Sequence, residues 1–255
     1  KDCLGTKGKE FAFFPMLIKF IDSKQPLSIQ VHPDNEYALR VEKEYGKTEM
    51  WYILDCQPDA TLYFGVNRSI TKEEFRERIE NNTLLEVLKE VPVHKGDVFF
   101  IKAGTIHAIG AGITLCEIQQ NSNCTYRMYD YDRRDKFGNP RELHVKKALD
   151  VVDNHKYIKD NKTEVVIARN EHFTEERLVQ CKYFEVYKYD VNDEAKITVD
   201  EASFVSVLFI NGSGTIETDD YEKTMEFKAG DSFFVSAGLR SIIIKGQATM
   251  VVTRV

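Results

Sequence analysis

Leu27-Ser28-Ile29-Gln30-Val31-His32-Pro33 is the stretch that decides how this chain is read. Successive side chains of an extended backbone point to opposite faces, so Gln30 and His32 share one face and Ile29 and Val31 the other. Ser28 falls on the Gln30 face. A strand apolar on one side, with lone polar groups on the other, suits the wall of a β barrel whose interior carries Gln30 and His32. A second stretch belongs with it: Gly96-Asp97-Val98-Phe99-Phe100-Ile101-Lys102-Ala103-Gly104-Thr105-Ile106-His107. It reads as a strand, a tight Ala-Gly-Thr turn, and a His that opens the next strand.

Working outward, Phe13 to Ile21 is an apolar run interrupted by Lys19, and Asp22 to Gln25 connects it to the Gln30 strand. Asp34 can cap a short helix through about Tyr45, with Tyr37, Ala38 and Val41 on one side. Strands are predicted from Glu49 to Leu54 and near Thr61 to Val66. Thr71 and Glu74 have capping-box spacing. With Phe75, Ile79, Leu85 and Leu88 they predict a helical insertion at 71–90, broken near Asn81-Asn82. Short strands return from Val91 to Tyr131. A helix is expected from Pro140 to about Val152, and 153–175 reads as a polar, loop-like boundary. The expected division is a metal-binding domain at 1–155 and a β-rich domain at 156–255.

The second domain echoes the first. Gly230-Asp231-Ser232-Phe233-Phe234-Val235-Ser236-Ala237-Gly238-Leu239-Arg240-Ser241 repeats the Gly96 pattern at an offset of 134 residues, with Ser241 at the position of His107. The expectation is a duplicated barrel whose C-terminal copy has lost its ligand. Nothing in Ala202 to Gly212 reads as a counterpart of Gln30-x-His32.

Composition narrows the class. With 255 residues and 42% hydrophobic content the chain is an ordinary globular protein. Its formal net charge of -6 argues against a nucleic-acid or anionic-membrane partner. An anionic small molecule remains compatible, because it feels a local basic pocket. No stretch reads as a membrane span or signal peptide. A start at Lys1 rather than Met leaves open a longer natural chain. Five cysteines, odd in number and without Cys-x-x-Cys spacing, read as free thiols of a reducing cytoplasm. The oligomeric state is not legible.

Gln30, His32, Glu49 and His107 come from three separate predicted strands and are all capable metal ligands; His and carboxylate ligands with an open position suit catalytic Zn²⁺. The Ala-Gly-Thr-Ile-His turn resembles the second motif of the cupins. Leu-Ser-Ile-Gln-Val-His-Pro, Gly-Lys-Thr-Glu-Met-Trp-Tyr-Ile-Leu, Ala-Gly-Thr-Ile-His-Ala-Ile and Glu-Ile-Gln-Gln-Asn-Ser-Asn-Cys-Thr-Tyr-Arg-Met-Tyr-Asp-Tyr-Asp-Arg together resemble the type I mannose-6-phosphate isomerases in their short bacterial form. The match spans most of 11–152 and continues more weakly beyond. The resemblance implies a mainly β fold of duplicated, jelly-roll-like cupin barrels. It implies one zinc per chain on Gln30, His32, Glu49 and His107, an essential Arg127, and proton transfer at Lys19. Two departures stand out. Lys102 occupies a position where cupins commonly carry Pro, and the family's N-terminal aromatic-Gly-Gly segment and Trp-Glu pair are not found.

Aldose–ketose interconversion through a cis-enediol needs a base, a cation at the developing oxyanion, and a grip on the phosphate. Lys19, if it faces the interior, would be desolvated and serve as base; a solvent-facing lysine fits the pattern equally. Lys47 is the second choice, with a solvated turn lysine as its alternative. Arg127 alternates with Tyr129, Tyr131 and Arg133 and offers a forked cation; a surface arginine paired with Asp130 or Asp132 is the alternative. Ser28, Lys24 and Arg133 are the candidate substrate-binding residues. His94, His155 and His172 read as surface residues, and His144 as a packing or solvent-facing one. Beside a cytoplasmic zinc isomerase acting on a sugar phosphate, two other readings stand: a non-catalytic sugar-phosphate-binding cupin, and an Fe(II) cupin oxygenase.

Overall fold

The computed structural model describes residues 2–157, 165–218 and 224–255. The chain divides into two compact units, Met16–Lys159 and a second made of Lys1–Pro15 with Asp160–Val255. The fold is mainly β, and no described helix is long and apolar enough to cross a membrane.

The second unit starts the chain. A one-turn helix, α1 (Gly5–Gly8), is held by Thr6 and Lys7 N–H groups, which donate to the carbonyls of Glu201 and Ala202 at 2.9 Å. The sequence reading put these residues in the first domain. Their hydrogen-bond partners, some two hundred residues on, could not be seen locally.

In the Met16–Lys159 unit the strands are β1 (Met16–Ser23), β2 (Ile29–Val31), β3 (Glu49–Cys56), β4 (Thr61–Val66), β5 (Leu88–Pro92), β6 (Val98–Ile101), β7 (His107–Ala108), β8 (Ile113–Gln120) and β9 (Tyr126–Tyr129). They form two antiparallel sheets, ordered β1-β8-β3-β6 and β5-β4-β7-β2-β9. Among the described residues three α-helices accompany them, α2 (Asn35–Val41), α3 (Lys72–Glu80) and α4 (Val145–Val151), with a 3-10 turn at Leu84–Val87. Ile29, Val31, Ile106, Ala108, Tyr126 and Met128 pack with Phe75 and Ile79 of α3 and with Ala148 and Leu149 of α4. The apolar face of β2 is therefore roofed by helices, and its Gln30 face turns inward. Burying Phe75 completely contributes about 1.5–3 kcal/mol. Trp51, Ile53, Leu62, Phe64, Ile101, Ile113 and Leu115 form a second apolar cluster, from the facing strands of both sheets.

The helices are shorter than the sequence suggested. Asp34 caps α2 by accepting from Tyr37 N–H, but the helix ends at Val41 because Lys43 adopts a left-handed φ of 61°. Thr71 accepts from Glu74 N–H at 3.1 Å; the return half of the capping box is missing because the Glu74 carboxylate is taken by Arg68 and Arg78. Residues 88–90, expected in the insertion, belong to β5. The helix expected from Pro140 begins only at Val145, since Asp135 gathers the N–H groups of Phe137 and Asn139 into a tight loop ahead of it.

In the other unit β10 (Val165–Arg169), β11 (Phe173–Gln180), β12 (Glu185–Val191), β13 (Glu194–Val199), β14 (Val205–Thr218), β15 (Met225–Lys228), β16 (Ser232–Val235) and β17 (Arg240–Arg254) form one sheet with path β10-β11-β12-β17-β14-β15. Within the boundary expected at 153–175, residues 165–169 are strand, and 158–164 lie outside the described residues.

The internal echo is structural. Gly96 N–H donates to Ile53 O and Ile53 N–H returns to Asp97 O; Gly230 and Asp231 make the same pair of bonds with Phe209. Both glycines have φ near +90°, which glycine adopts without steric cost. Gly104 N–H donates to His32 O at 2.8 Å, and Gly238 N–H to Asp200 O at 2.7 Å. Gln30 pairs with His107 as Thr198 pairs with Ser241, and Glu49 pairs with Ile101 as Val205 pairs with Val235. The positions of Gln30, His32, Glu49 and His107 thus carry Thr198, Asp200, Val205 and Ser241. The counterpart of Gln-x-His is Thr198-x-Asp200, outside the Ala202–Gly212 window of the sequence reading.

Candidate metal centre

Three strands and one short connection bring the polar cluster together. Gln30 lies on β2 opposite His107 of β7, His32 follows β2, and Glu49 opens β3 in the other sheet. His32, Glu49 and His107 are 0–1% exposed. His107 Nε2 is 3.3 Å from Glu49 Oε1, and His32 Nε2 is 3.5 Å from Glu49 Oε2. Ligand atoms held tetrahedrally at Zn–N and Zn–O distances of about 2.0–2.1 Å lie roughly 3.3 Å apart; the two His–Glu49 separations are close to this, and the ligand atoms of all three residues lie within 4.8 Å of one another.

The outer nitrogens are committed. His32 Nδ1 lies 2.9 Å from Cys124 O and His107 Nδ1 2.8 Å from Thr105 O, so each ring donates from Nδ1 and turns a lone pair at Nε2 inward. The turn delivering His107 is pinned without the proline: Gly104, φ 88°, is tied through its N–H to His32 and through its carbonyl to Asp153 N–H. Gln30 Nε2 sits 3.4 Å from His107 Nε2, so its amide completes the cluster. Glu49 Oε1 makes no hydrogen bond among the described residues and Oε2 is met by the Lys47 ammonium at 2.9 Å, so this buried carboxylate keeps an acceptor turned into the cluster that fits a cation.

Lys47, 5% exposed, places its ammonium 2.9 Å from Glu49 Oε2 and 3.1 Å from His32 Nε2. Burial alone would depress its pKa, but Glu49 and Glu117 outweigh this and hold it above the usual lysine value. Burial would likewise raise Glu49, yet Lys47 and His32 hold it well below the carboxylate range. Burial, then Lys47, pushes His32 down to about 4, and burial also lowers His107. Both rings are therefore neutral, as ligation requires. Lys47 is no solvated turn lysine.

Lys19 stands apart from these four. Its register partner is Glu117, in line with Trp51, so it is on the Glu49 face of the sheet. Its side chain is 37% exposed, and its ammonium meets Glu117 Oε1 at 2.9 Å and Gln119 Oε1 at 2.5 Å. Its surroundings fall between the two alternatives the sequence left open, a half-exposed lysine held in an ion pair. Glu117 and Gln119 were not singled out from sequence. Glu117 also accepts from Trp51 Nε1 at 3.0 Å, and the Trp51 ring meets His107 edge-on at 5.4 Å. The available signal was the i, i+2 polar pair Glu117 and Gln119, on the strand face away from Cys116 and Ile118.

Arg127 on β9 pairs in register with Gln30, on the strand edge beside the cluster. Its Nη1 donates to Glu142 O at 2.8 Å and its buried Nε has no hydrogen-bond partner. The expected alternation through Arg133 stops at Tyr129, because Tyr131 and Asp132 take left-handed φ values of 57° and 51°. Arg133 sits beyond that turn, ion-paired with Asp130 and donating from Nη1 to Pro26 O at 2.7 Å. Arg141 also reaches Asp130, at 3.6 Å. Asp130 and Asp132 are thus occupied by other arginines, and three guanidiniums gather near one buried carboxylate. Ser28 is buried, and its hydroxyl makes no hydrogen bond among the described residues. Lys24 is exposed in the β1–β2 connection. His94, His155 and His172 are exposed.

Known proteins arrange themselves around this geometry. The family described as mannose-6-phosphate isomerase, cupin domain, matches residues 174–255. Mannose-6-phosphate isomerase ManA of Bacillus subtilis is 39% identical over 251 residues, covering 94% of this chain and 75% of the relative. The crystal structure of a mannose 6-phosphate isomerase from Bacillus subtilis superposes with a TM-score of 0.87 at 38% identity, covering 95% of this chain and 76% of that one. A phosphomannose isomerase from Salmonella typhimurium shares the fold at 14% identity, with a TM-score of 0.76 over 98% of this chain and 82% of that one. Sequence identity across both units and the shared fold establish that the chain belongs to the mannose-6-phosphate isomerase family.

Proposed function

We propose that this chain is a Zn²⁺-dependent isomerase that interconverts mannose 6-phosphate and fructose 6-phosphate through a cis-enediol, working in the cytoplasm. The observation that carries the reading is the buried set His32 Nε2, Glu49 and His107 Nε2, spaced for tetrahedral ligation with both Nδ1 atoms already committed. Gln30, His32, Glu49 and His107 would hold the ion. Bound there, it supplies Lewis-acid stabilisation of negative charge on the substrate oxygens.

The chain's own groups supply the rest. Interconversion removes a proton from C2 of the aldose and returns one to C1, while a hydroxyl proton moves between the two oxygens. Lys19 and Lys47 are each ammonium groups paired with a carboxylate, Glu117 and Glu49 respectively. In such a pair a proton can be given to substrate oxygen or carbon and recovered from it. Arg127, with an unused buried Nε, would hold the enediolate or the phosphate as charge develops. Arg133, Arg141 and the free Ser28 hydroxyl give an anion local attraction despite the net charge of -6. Arg133 must then trade part of its hold on Asp130. Lys24 is the outermost candidate for the phosphate.

Elemental analysis beside a coupled assay for fructose 6-phosphate tests the proposal. About one zinc per chain, activity lost on chelation and recovered on adding Zn²⁺, is the expected result. Full turnover by metal-free protein would overturn the zinc assignment. Bound iron without isomerase activity would favour the oxygenase reading, and sugar-phosphate binding without turnover the binding-module reading.

A further inference from the structure

His144 takes both outward-facing backbone groups of Arg127. β9 is the edge of its sheet, so the side of the strand away from β2 has no strand neighbour among the described residues. Such groups are ordinarily left to water. Here Arg127 N–H donates to His144 Nδ1 at 3.2 Å, and His144 N–H donates to Arg127 O at 2.8 Å. The same segment holds the side chain, through Nη1 to Glu142 O. Arg127 is thus fixed at three points by residues 142–144.

The ring is committed to the strand and not to the helix it precedes. His144 occupies the N-cap position of α4, where a Ser, Thr, Asp or Asn oxygen would bind a helix N–H, yet its side chain makes no cap hydrogen bond. Accepting at Nδ1 puts the ring proton on Nε2, which faces Glu142 at 3.9 Å. Behind the ring, α4 is anchored: Ala148 and Leu149 are buried, and Lys147 pairs with Glu42 at 2.7 Å, which in turn accepts from Tyr126. The clamp therefore has a rigid base.

We propose that His144 is a positioning residue whose Nδ1 holds the Arg127 backbone, and so its guanidinium, in the working orientation. The inference rests on the reading of Arg127 as a residue that touches substrate. Asparagine offers Oδ1 where histidine has Nδ1, two bonds beyond Cβ, whereas leucine fills space without an acceptor.

Full-length, zinc-loaded His144→Asn, His144→Leu, Arg127→Ala and the Arg127→Ala/His144→Leu double variant are compared for kcat, KM and metal content. His144→Leu should lose roughly 10–100-fold in kcat, the scale expected when a catalytic group is misplaced by about an ångström. Its metal content should be unchanged, and His144→Asn should keep near wild-type kcat. Added to Arg127→Ala, His144→Leu should cost nothing further, because both act through one group. Equal kcat in the Leu and Asn variants, or a leucine loss that persists in full without Arg127, overturns the proposal. Wild-type kcat in Arg127→Ala overturns the underlying role of Arg127 and the proposal with it. If only His144→Leu is neutral, Arg127 stands and the positioning role falls. Should the leucine variant not fold, His144→Ser, which offers the helix a cap oxygen that histidine does not supply but is too short to reach the strand, carries the same expectation.

Discussion

Acidifying the metal-free protein should weaken the Met16–Lys159 unit well before carboxylates protonate. His32 is fully buried, and burial followed by Lys47 lowers its pKa from 6.5 to about 4. In the unfolded chain the same ring takes a proton below about 6.5. Between those values the unfolded state binds more protons, so stability rises with pH and falls on acidification. At 1.36 kcal/mol for each unit of pKa, moving from pH 7 to pH 5 withdraws about 2 kcal/mol, and moving to pH 4, where the folded ring is itself half protonated, about 3 kcal/mol. With a urea dependence of about 2 kcal/mol per molar, the pH 5 loss lowers the midpoint by roughly 1 M. Trp51 is the single tryptophan and lies against His107, so its fluorescence reports this unit alone. The chelated protein is titrated with urea at pH 7 and pH 5, beside His32→Asn. His107, lowered by burial, adds in the same direction and remains in the variant. The variant should lose most of the pH dependence. An identical midpoint shift in both proteins would refute the argument that His32 is held neutral by burial.

Other outcomes follow from the same geometry. Zinc should bind at one per chain, and His107→Ala should lower both metal content and activity; full occupancy in that variant, by elemental analysis, removes His107 from the ligand set. Arg127→Ala should lower kcat by ~10²–10³, about 3–4 kcal/mol, with Arg127→Lys recovering only part, measured beside metal content and melting temperature. Phe75→Ala, which empties a fully buried site between helices and sheet, should cost about 3–5 kcal/mol, read from urea unfolding followed at Trp51.

The β2 alternation was legible because its two faces meet different surroundings: Ile29 and Val31 meet helices, Gln30 the polar cluster at His107. His107 was legible because a glycine turn with φ near +90° leaves a recognisable gap in an apolar strand. Glu117 and Gln119 escaped because their importance lies in register with Lys19 and Trp51, and register couples strands about a hundred residues apart. The Thr198-x-Asp200 counterpart escaped for a related reason. The first unit carries α2 and α3 between strands that the second joins more directly, so no single offset aligns both copies. The start of α3 at Thr71 and its break near Asn81-Asn82 were legible, although Glu74 turns to arginine partners and leaves the capping box half made; the helix expected from Pro140 failed because Asp135 builds a loop there.

The α1 stretch, bonded through Thr6 and Lys7 to Glu201 and Ala202, makes the second unit discontinuous in the chain. During synthesis residues 2–15 emerge ahead of the whole Met16–Lys159 unit, yet their partners emerge after it. The inserted unit has all its strand pairings available by then and can fold on the ribosome first, as domains generally do in order of emergence. The leading stretch must wait, tethered to a folded body, for a site that does not yet exist. Breaking the Thr6 and Lys7 hydrogen bonds, by Thr6→Pro with Lys7→Pro, should therefore harm the later-made unit and spare the fold around Glu49 and His107.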